Sequence, residues 1–209
     1  MTNDQLADIL TRYSAHADSF ETLVRGTAPD QWANPSPCAE WTARDVVGHI
    51  VDMHAAMLRP INRGLSAAPS VQQDPLAAFN SARADVQAVL SDPGIAGRRI
   101  DSPGGPTTVA QHIDQVISDD MVLHGWDLAK ATGQDATMDP VDVERMWSGN
   151  TAIPVDMMQL LRTPGAFGPG VVVFGPEVVV PPDAPLQDRL VGFIGRDPGW
   201  AASGSSVGH

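Results

Sequence analysis

The 209-residue chain is long enough to bury one continuous core but leaves little room for a second catalytic domain, and 43% hydrophobic with 18% charged residues is the composition of a soluble globular protein. With 13 basic against 25 acidic side chains, a net charge of −12 and one lysine, Lys130, it carries no basic cluster for nucleic acid or for an anionic membrane surface. No apolar run approaches the roughly 20 residues of a spanning helix, the first residues lack the pattern of a signal peptide, and the only cysteine, Cys38, excludes an internal disulfide or a cysteine-based zinc knuckle. A cytoplasmic protein is expected.

Leu6, Ile9, Leu10, Tyr13, Ala17, Phe20 and Leu23 recur at helical spacing, which predicts an amphipathic helix from about Asp4 to a stop at Gly26. Residues 30–40, with Pro29, Pro35 and Pro37, read as a loop. Thr42 and Asp45 have the spacing of a capping box, and Val46, Val47, Ile50, Val51, Met53 and Met57 follow, so a second helix is expected from about Ala43 to Leu58. Leu76, Phe79, Val86, Val89 and Leu90 mark a third, Pro75 to Leu90, ended by Asp92-Pro93-Gly94. Thr107 or Thr108 can cap a fourth whose apolar positions, Val109 to Leu128, run to Gly133.

Pro140 opens a further helix to about Leu161, which Pro154 kinks or divides. From Thr163 the composition changes: a Pro/Gly-rich run precedes Val171 to Phe174 and Val178 to Val180, two short strands or extended segments, and Leu186 to Gly195 supports a last short helix. Ala201 to His209 reads as a disordered tail. The expected fold is mainly α: an antiparallel four-helix bundle over about residues 4–133, with extra C-terminal helices and a short extended or β segment over about 139–200.

The chemistry concentrates in Asp119-Asp120-Met121-Val122-Leu123-His124-Gly125-Trp126-Asp127 and in Val46-Val47-Gly48-His49-Ile50. At about 100° per residue Asp120 and Asp127 flank His124 on one helix face, whereas Asp119 lies about 140° away, toward solvent or a neighbouring helix. A carboxylate and an imidazole four residues apart can reach one divalent ion, and zinc suits such donors; the same pair is also an ordinary solvated helix pair. His49 sits in a mostly apolar stretch, where a lone histidine is usually a satisfied core residue, but from a second helix it can complete a three-ligand site open to water or substrate. His54 is about 140° around the helix from His49 and cannot share that site easily. His112 reads as structural or exposed, and nothing in sequence pairs with His16. Cys38 reads as a small buried residue anchoring the loop or, before a helix start, as a reactive thiol. Trp126 and Trp147 are pocket or core residues. The minimum motifs of serine hydrolases, P-loop enzymes and dinucleotide-binding dehydrogenases are absent from the sequence.

Pro37-Cys38-Ala39-Glu40-Trp41-Thr42-Ala43-Arg44-Asp45-Val46-Val47-Gly48-His49 and His124-Gly125-Trp126-Asp127-Leu128-Ala129 resemble the mycothiol-dependent maleylpyruvate isomerase metal-binding domain of the DinB-like superfamily. The C-terminal stretch from Phe174-Gly175-Pro176 to Gly195-Arg196-Asp197-Pro198 resembles an actinobacterial subgroup described as metal-binding, so the resemblance spans about residues 5 to 200, one DinB-like domain. It implies a four-helix bundle holding zinc, or nickel, through His49, Asp120 and His124; Asp127, on the same helix face, is expected to orient a ligand or to serve as a weak extra ligand, the fourth one in a closed structural site. Asp120 stands where the isomerase pattern has the longer Glu, and the isomerase's larger C-terminal domain is replaced here by a short Val-rich segment, so the site transfers more directly than the isomerisation. Related bundles imply thiol S-transferase or isomerase chemistry, with mycothiol or another small thiol as cosubstrate, an electrophilic partner and a homodimer. Metal-bound water in place of the thiol would make a small hydrolase. The other class is a non-catalytic bundle whose metal, or relic of a site, serves stability or partner binding.

Overall fold

The computed structural model describes residues 1–102, 105–167 and 172–202. The described chain is mainly helical, with one two-stranded sheet, and divides into two compact units, Met1–Ala136 and Thr137–Ala201. Most of the expected tail, from residue 203 onward, lies outside the described residues.

The first unit begins with α1 (Asn3–Gly26). The Thr2 hydroxyl accepts from the Gln5 N–H at 3.2 Å, while Gln5 Oε1 accepts from the Thr2 N–H at 2.8 Å, satisfying two donors that a helix start leaves orphaned. Leu6, Ile9, Tyr13, His16, Ala17, Phe20 and Val24 form its buried stripe. The expected box at Thr42 and Asp45 opens α2 (Ala43–Leu58), and Asp74 with Pro75 opens α3 (Pro75–Leu90). Each of α1 and α2 packs against α3, and Phe20 and Phe79, both essentially excluded from solvent, meet with ring centroids 5.0 Å apart. Complete burial of each such ring contributes about 1.5–3 kcal/mol.

Asp92-Pro93-Gly94 ends α3 and also caps a one-turn helix, α4 (Pro93–Ala96), with the Asp92 carboxylate accepting from the Gly94 and Ile95 N–H groups. An unexpected antiparallel hairpin follows, β1 (Arg99–Ser102) with β2 (Gly105–Thr108), pairing Arg99 with Thr108 and Ser102 with Gly105. Four-residue strands carry too little alternation to stand out in sequence.

Thr108 caps the next helical run through a box with Gln111. That run is not one regular helix, as the spacing suggested: α5 (Val109–Ile113) passes through a π turn (Asp114–Ser118) into α6 (Asp119–Thr132), which Gly133 ends at φ 68°. A π turn holds an extra residue, so angular counts made across it, such as His112 to Asp120, fail. Two α1 side chains clamp it. Arg12 donates to both Asp114 oxygens, at 2.8 and 2.7 Å, and His16 Nδ1 lies 3.0 Å from the Ser118 carbonyl and 2.8 Å from its hydroxyl. A carbonyl only accepts, so His16 Nδ1 carries the proton. Packing of α6 on α1 and α2 completes the core.

The second unit contains α7 (Pro140–Thr151), α8 (Val155–Leu161) and α9 (Leu186–Phe193); Pro154 divides the expected helix into the first two. Trp147 and Phe193 meet edge to face at 5.8 Å, with Arg189 over Trp147 and Arg162 over Phe193. The two Val-rich stretches are not strands among the described residues; Val171 lies outside them. Instead the Phe174 N–H donates to Leu161 O at the end of α8 at 3.2 Å and the Val178 N–H to Gly192 O in α9 at 2.9 Å, while Gly175, between the stretches, donates to Ile194 O at 3.1 Å. Gly195 (φ 93°) lies so close to Gly175 that a Cβ would fall 2.5 Å from the Gly175 Cα, so only glycine permits this crossing.

On the buried face of α2, His54 Nδ1 donates to Ile50 O at 2.7 Å, which leaves Nε2 to accept from the Tyr13 hydroxyl of α1 at 2.9 Å. Burial lowers the His54 pKa from 6.5 to about 4, against smaller raising effects of the Ile50 bond and Asp120, while Arg83 adds to the lowering. The unfolded chain thus takes up a proton that the folded chain refuses. Stability from this group is complete above pH 6.5 and is lost as pH falls toward 4. We expect about 2 kcal/mol of that loss by pH 5, read as a smaller pH dependence of the urea midpoint in His54→Leu than in wild type. His16→Leu, which strips the donor from the Ser118 carbonyl, is expected to cost about 1–3 kcal/mol in the same unfolding assay.

Candidate metal centre

The loop before α2 is built to hold its side chains against α6. The Ser36 N–H donates to Trp41 O at 2.8 Å and the Ala43 N–H to Asn34 O at 2.9 Å, closing residues 34–43 into a small lariat. Within it the Trp41 N–H returns to Cys38 O, with Glu40 in the left-handed region at φ 66°. Asn34 and Gln31 donate to the carbonyls of Ala131 and Thr132, two of the acceptors that the end of α6 leaves free. This pinning brings Cys38 and Trp41 to the middle of α6.

His49 lies two turns into α2, half-buried, and faces Asp120 across the interface: Nε2 is 2.9 Å from Asp120 Oδ2. The other carboxylate oxygen, Oδ1, is 3.4 Å from His124 Nε2. One ligand atom from each of His49, Asp120 and His124 therefore lies within 4.8 Å of the others, a spacing one divalent ion could span. Two imidazoles with a carboxylate are a donor set that zinc and similar borderline ions accept.

Asp127, with no exposed surface, takes the other edge of the His124 ring: Nδ1 is 2.9 Å from Asp127 Oδ2. An ionised carboxylate only accepts, so Nδ1 carries the proton and Nε2 keeps its lone pair toward Asp120 and His49. The same Asp127 oxygen accepts from the Cys38 thiol at 3.1 Å, and Cys38 Sγ is 3.8 Å from His124 Nδ1. Cys38 anchors its loop, as one sequence reading had it, but does so on the ring of a candidate ligand.

Trp41, which the residue-by-residue reading did not single out, stacks on His124 with centroids 5.5 Å apart and lies 4.9 Å from the His49 ring. Its only cue was its place in the Cys38 to Thr42 motif. Trp126 is instead buried beneath Lys130, and Trp147 belongs to the second unit. His54 and His16 are held in the core contacts described above, and burial lowers the pKa of half-buried His112. On the solvent side of His49 opens a cleft of about 460 Å³, bordered by Trp41, Arg44 and Gly48 with the carboxylates of Glu40, Asp45 and Asp52. A Cβ on Gly48 would meet nothing within 4 Å, so this mid-helix glycine is not required by packing and leaves space beside His49.

Residues 13–129 match the family described as the mycothiol maleylpyruvate isomerase N-terminal domain. Over 191 residues the chain is 30% identical to an uncharacterized protein, MT0763, of Mycobacterium tuberculosis (strain CDC 1551 / Oshkosh), a match covering 90% of this chain and 98% of the relative. The uncharacterized protein Rv0738 of Mycobacterium tuberculosis (strain ATCC 25618 / H37Rv) shows the same identity and coverage. No solved structure matches significantly. By that match over more than half its length, the chain belongs to the mycothiol maleylpyruvate isomerase N-terminal domain family.

Proposed function

We propose that this chain is a cytoplasmic, metal-dependent thiol S-transferase or isomerase: one DinB-like domain whose four-helix bundle binds zinc, or nickel, through His49, Asp120 and His124. Mycothiol or another low-molecular-weight thiol is the cosubstrate and an electrophilic small molecule its partner. The convergence of His49 Nε2, the Asp120 carboxylate and His124 Nε2 within 4.8 Å carries the reading, and the family match supports it.

The donors suit the ion on two counts. Three protein ligands leave further positions for solvent or substrate, and Asp127 orients His124 from the ring edge that faces away from Asp120. A bound divalent ion supplies Lewis acidity that lowers the pKa of a thiol, so that a thiolate nucleophile persists near neutral pH. The protein's share is positioning. Asp127 keeps the His124 lone pair outward, Trp41 covers one face of His124 and lies against His49, and the cleft beside Gly48 gives a thiol and an electrophile room to approach His49.

A structural, non-catalytic metal would call for a fourth protein ligand, and Asp127 was the residue available for it. Its bond to Nδ1 argues for the open, catalytic alternative.

Elemental analysis of untagged protein is expected to find about one equivalent of zinc or nickel, absent from His49→Ala and His124→Ala; no metal in wild type after zinc reconstitution would remove the premise. Turnover of electrophiles should depend on added thiol, and turnover without any thiol would favour the hydrolase chemistry. Asp127→Asn is expected to weaken zinc binding roughly 10–100-fold, measured by competition with a chromogenic chelator.

A further inference from the structure

Behind the His124 ring lies a second set of donors that the proposed function leaves unused as ligands. Cys38 Sγ, His124 Nδ1 and Asp127 Oδ2 lie within 4.8 Å of one another, with His124 and Asp127 buried and Cys38 partly so. The separations are 3.8 Å from sulfur to nitrogen, 3.1 Å from sulfur to oxygen and 2.9 Å from nitrogen to oxygen. A tetrahedral ion with ordinary metal–sulfur, metal–nitrogen and metal–oxygen bonds spaces its donors about 3.3–3.6 Å apart, so shifts of only a few tenths of an ångström would admit one. The geometry points to a second metal site, an inner one, whose thiolate selects a soft cation of the cadmium or copper(I) class.

The two sites stand back to back on one imidazole. Coordination at the inner site displaces two hydrogens: the Cys38 thiol proton leaves to solvent and the His124 Nδ1 proton passes to Nε2, while Asp127 exchanges its hydrogen bonds for a bond to the ion. A neutral imidazole offers a single lone pair. An ion on Nδ1 therefore leaves the ring's one proton on Nε2 and removes His124 from the outer set. Soft cations capture the inner site and compete with the outer one, whose donors are nitrogen and oxygen only. The inner site needs neither His49 nor Asp120, so it stands or falls independently of zinc at the outer site.

Cadmium titration of the reduced full-length protein, followed through the ultraviolet thiolate-to-cadmium charge-transfer band, tests this. The band is expected in wild type, to be lost in Cys38→Ser, and to persist in His49→Ala and in Asp120→Asn, each shown folded by circular dichroism; His124→Ala should weaken the binding that produces it at least tenfold. No band in wild type while Cys38 still reacts with a thiol reagent would overturn the inner site. So would loss of the band in both His49→Ala and Asp120→Asn, which would make Cys38 an added ligand of the outer set.

Discussion

The centre of the first unit depends on a buried carboxylate that must be paired. Asp127 has no contact with water, and an ionised side chain without partners in that position would cost several kcal/mol. It is neutralised in part by the two donors that reach Oδ2, the His124 Nδ1–H and the Cys38 thiol. This need decides the tautomer of His124, turns Nε2 toward Asp120 and His49, and ties the loop carrying Cys38 to α6. One electrostatic requirement thereby orders three segments distant in sequence.

That requirement can be met only if α6 is rotated correctly, and the rotation is set upstream. The π turn of Asp114–Ser118 changes the phase of everything after it, and the bonds from Arg12 and His16 hold it against α1. From the other side, the Thr42 capping box fixes where α2 begins and hence which way His49 points. Asn34 at the neck of the lariat and Gln31 just before it donate to the last carbonyls of α6, so satisfaction of a helix terminus and placement of Trp41 over the imidazoles are linked. His54, one turn and more beyond His49, shows the contrasting solution: both of its ring nitrogens are used within the core, by Ile50 and Tyr13.

Much of the architecture could be read locally. Capping boxes, Pro and Gly punctuation and the 3.6-residue period locate α1, α2 and α3 because each of these cues acts within a few residues of the chain. The Asp120, His124 and Asp127 spacing places them on one helix by the same local rule. The hairpin of residues 99–108 and the π turn were missed because neither has a local period: the first is too short to alternate, and the second is held by α1 side chains about a hundred residues away. The Val-rich stretches had β propensity without a strand partner among the described residues, and the N–H groups of Phe174 and Val178 went to the ends of α8 and α9.

What the sequence determined by itself is the helical composition, the main helix boundaries, the exclusion of disulfide and phosphate-loop chemistry, and a short list of residues able to bind a metal. Only the tertiary structure decided how they meet: His49 across from Asp120, Asp127 on the far edge of His124, Cys38 beside both, and Trp41 over the rings. The reason is physical. Helix periods and caps are written within one turn of chain, whereas the facing of His49 and Asp120 and the meeting of Cys38 with Asp127 depend on packing between segments that the sequence separates by 71 and 89 residues.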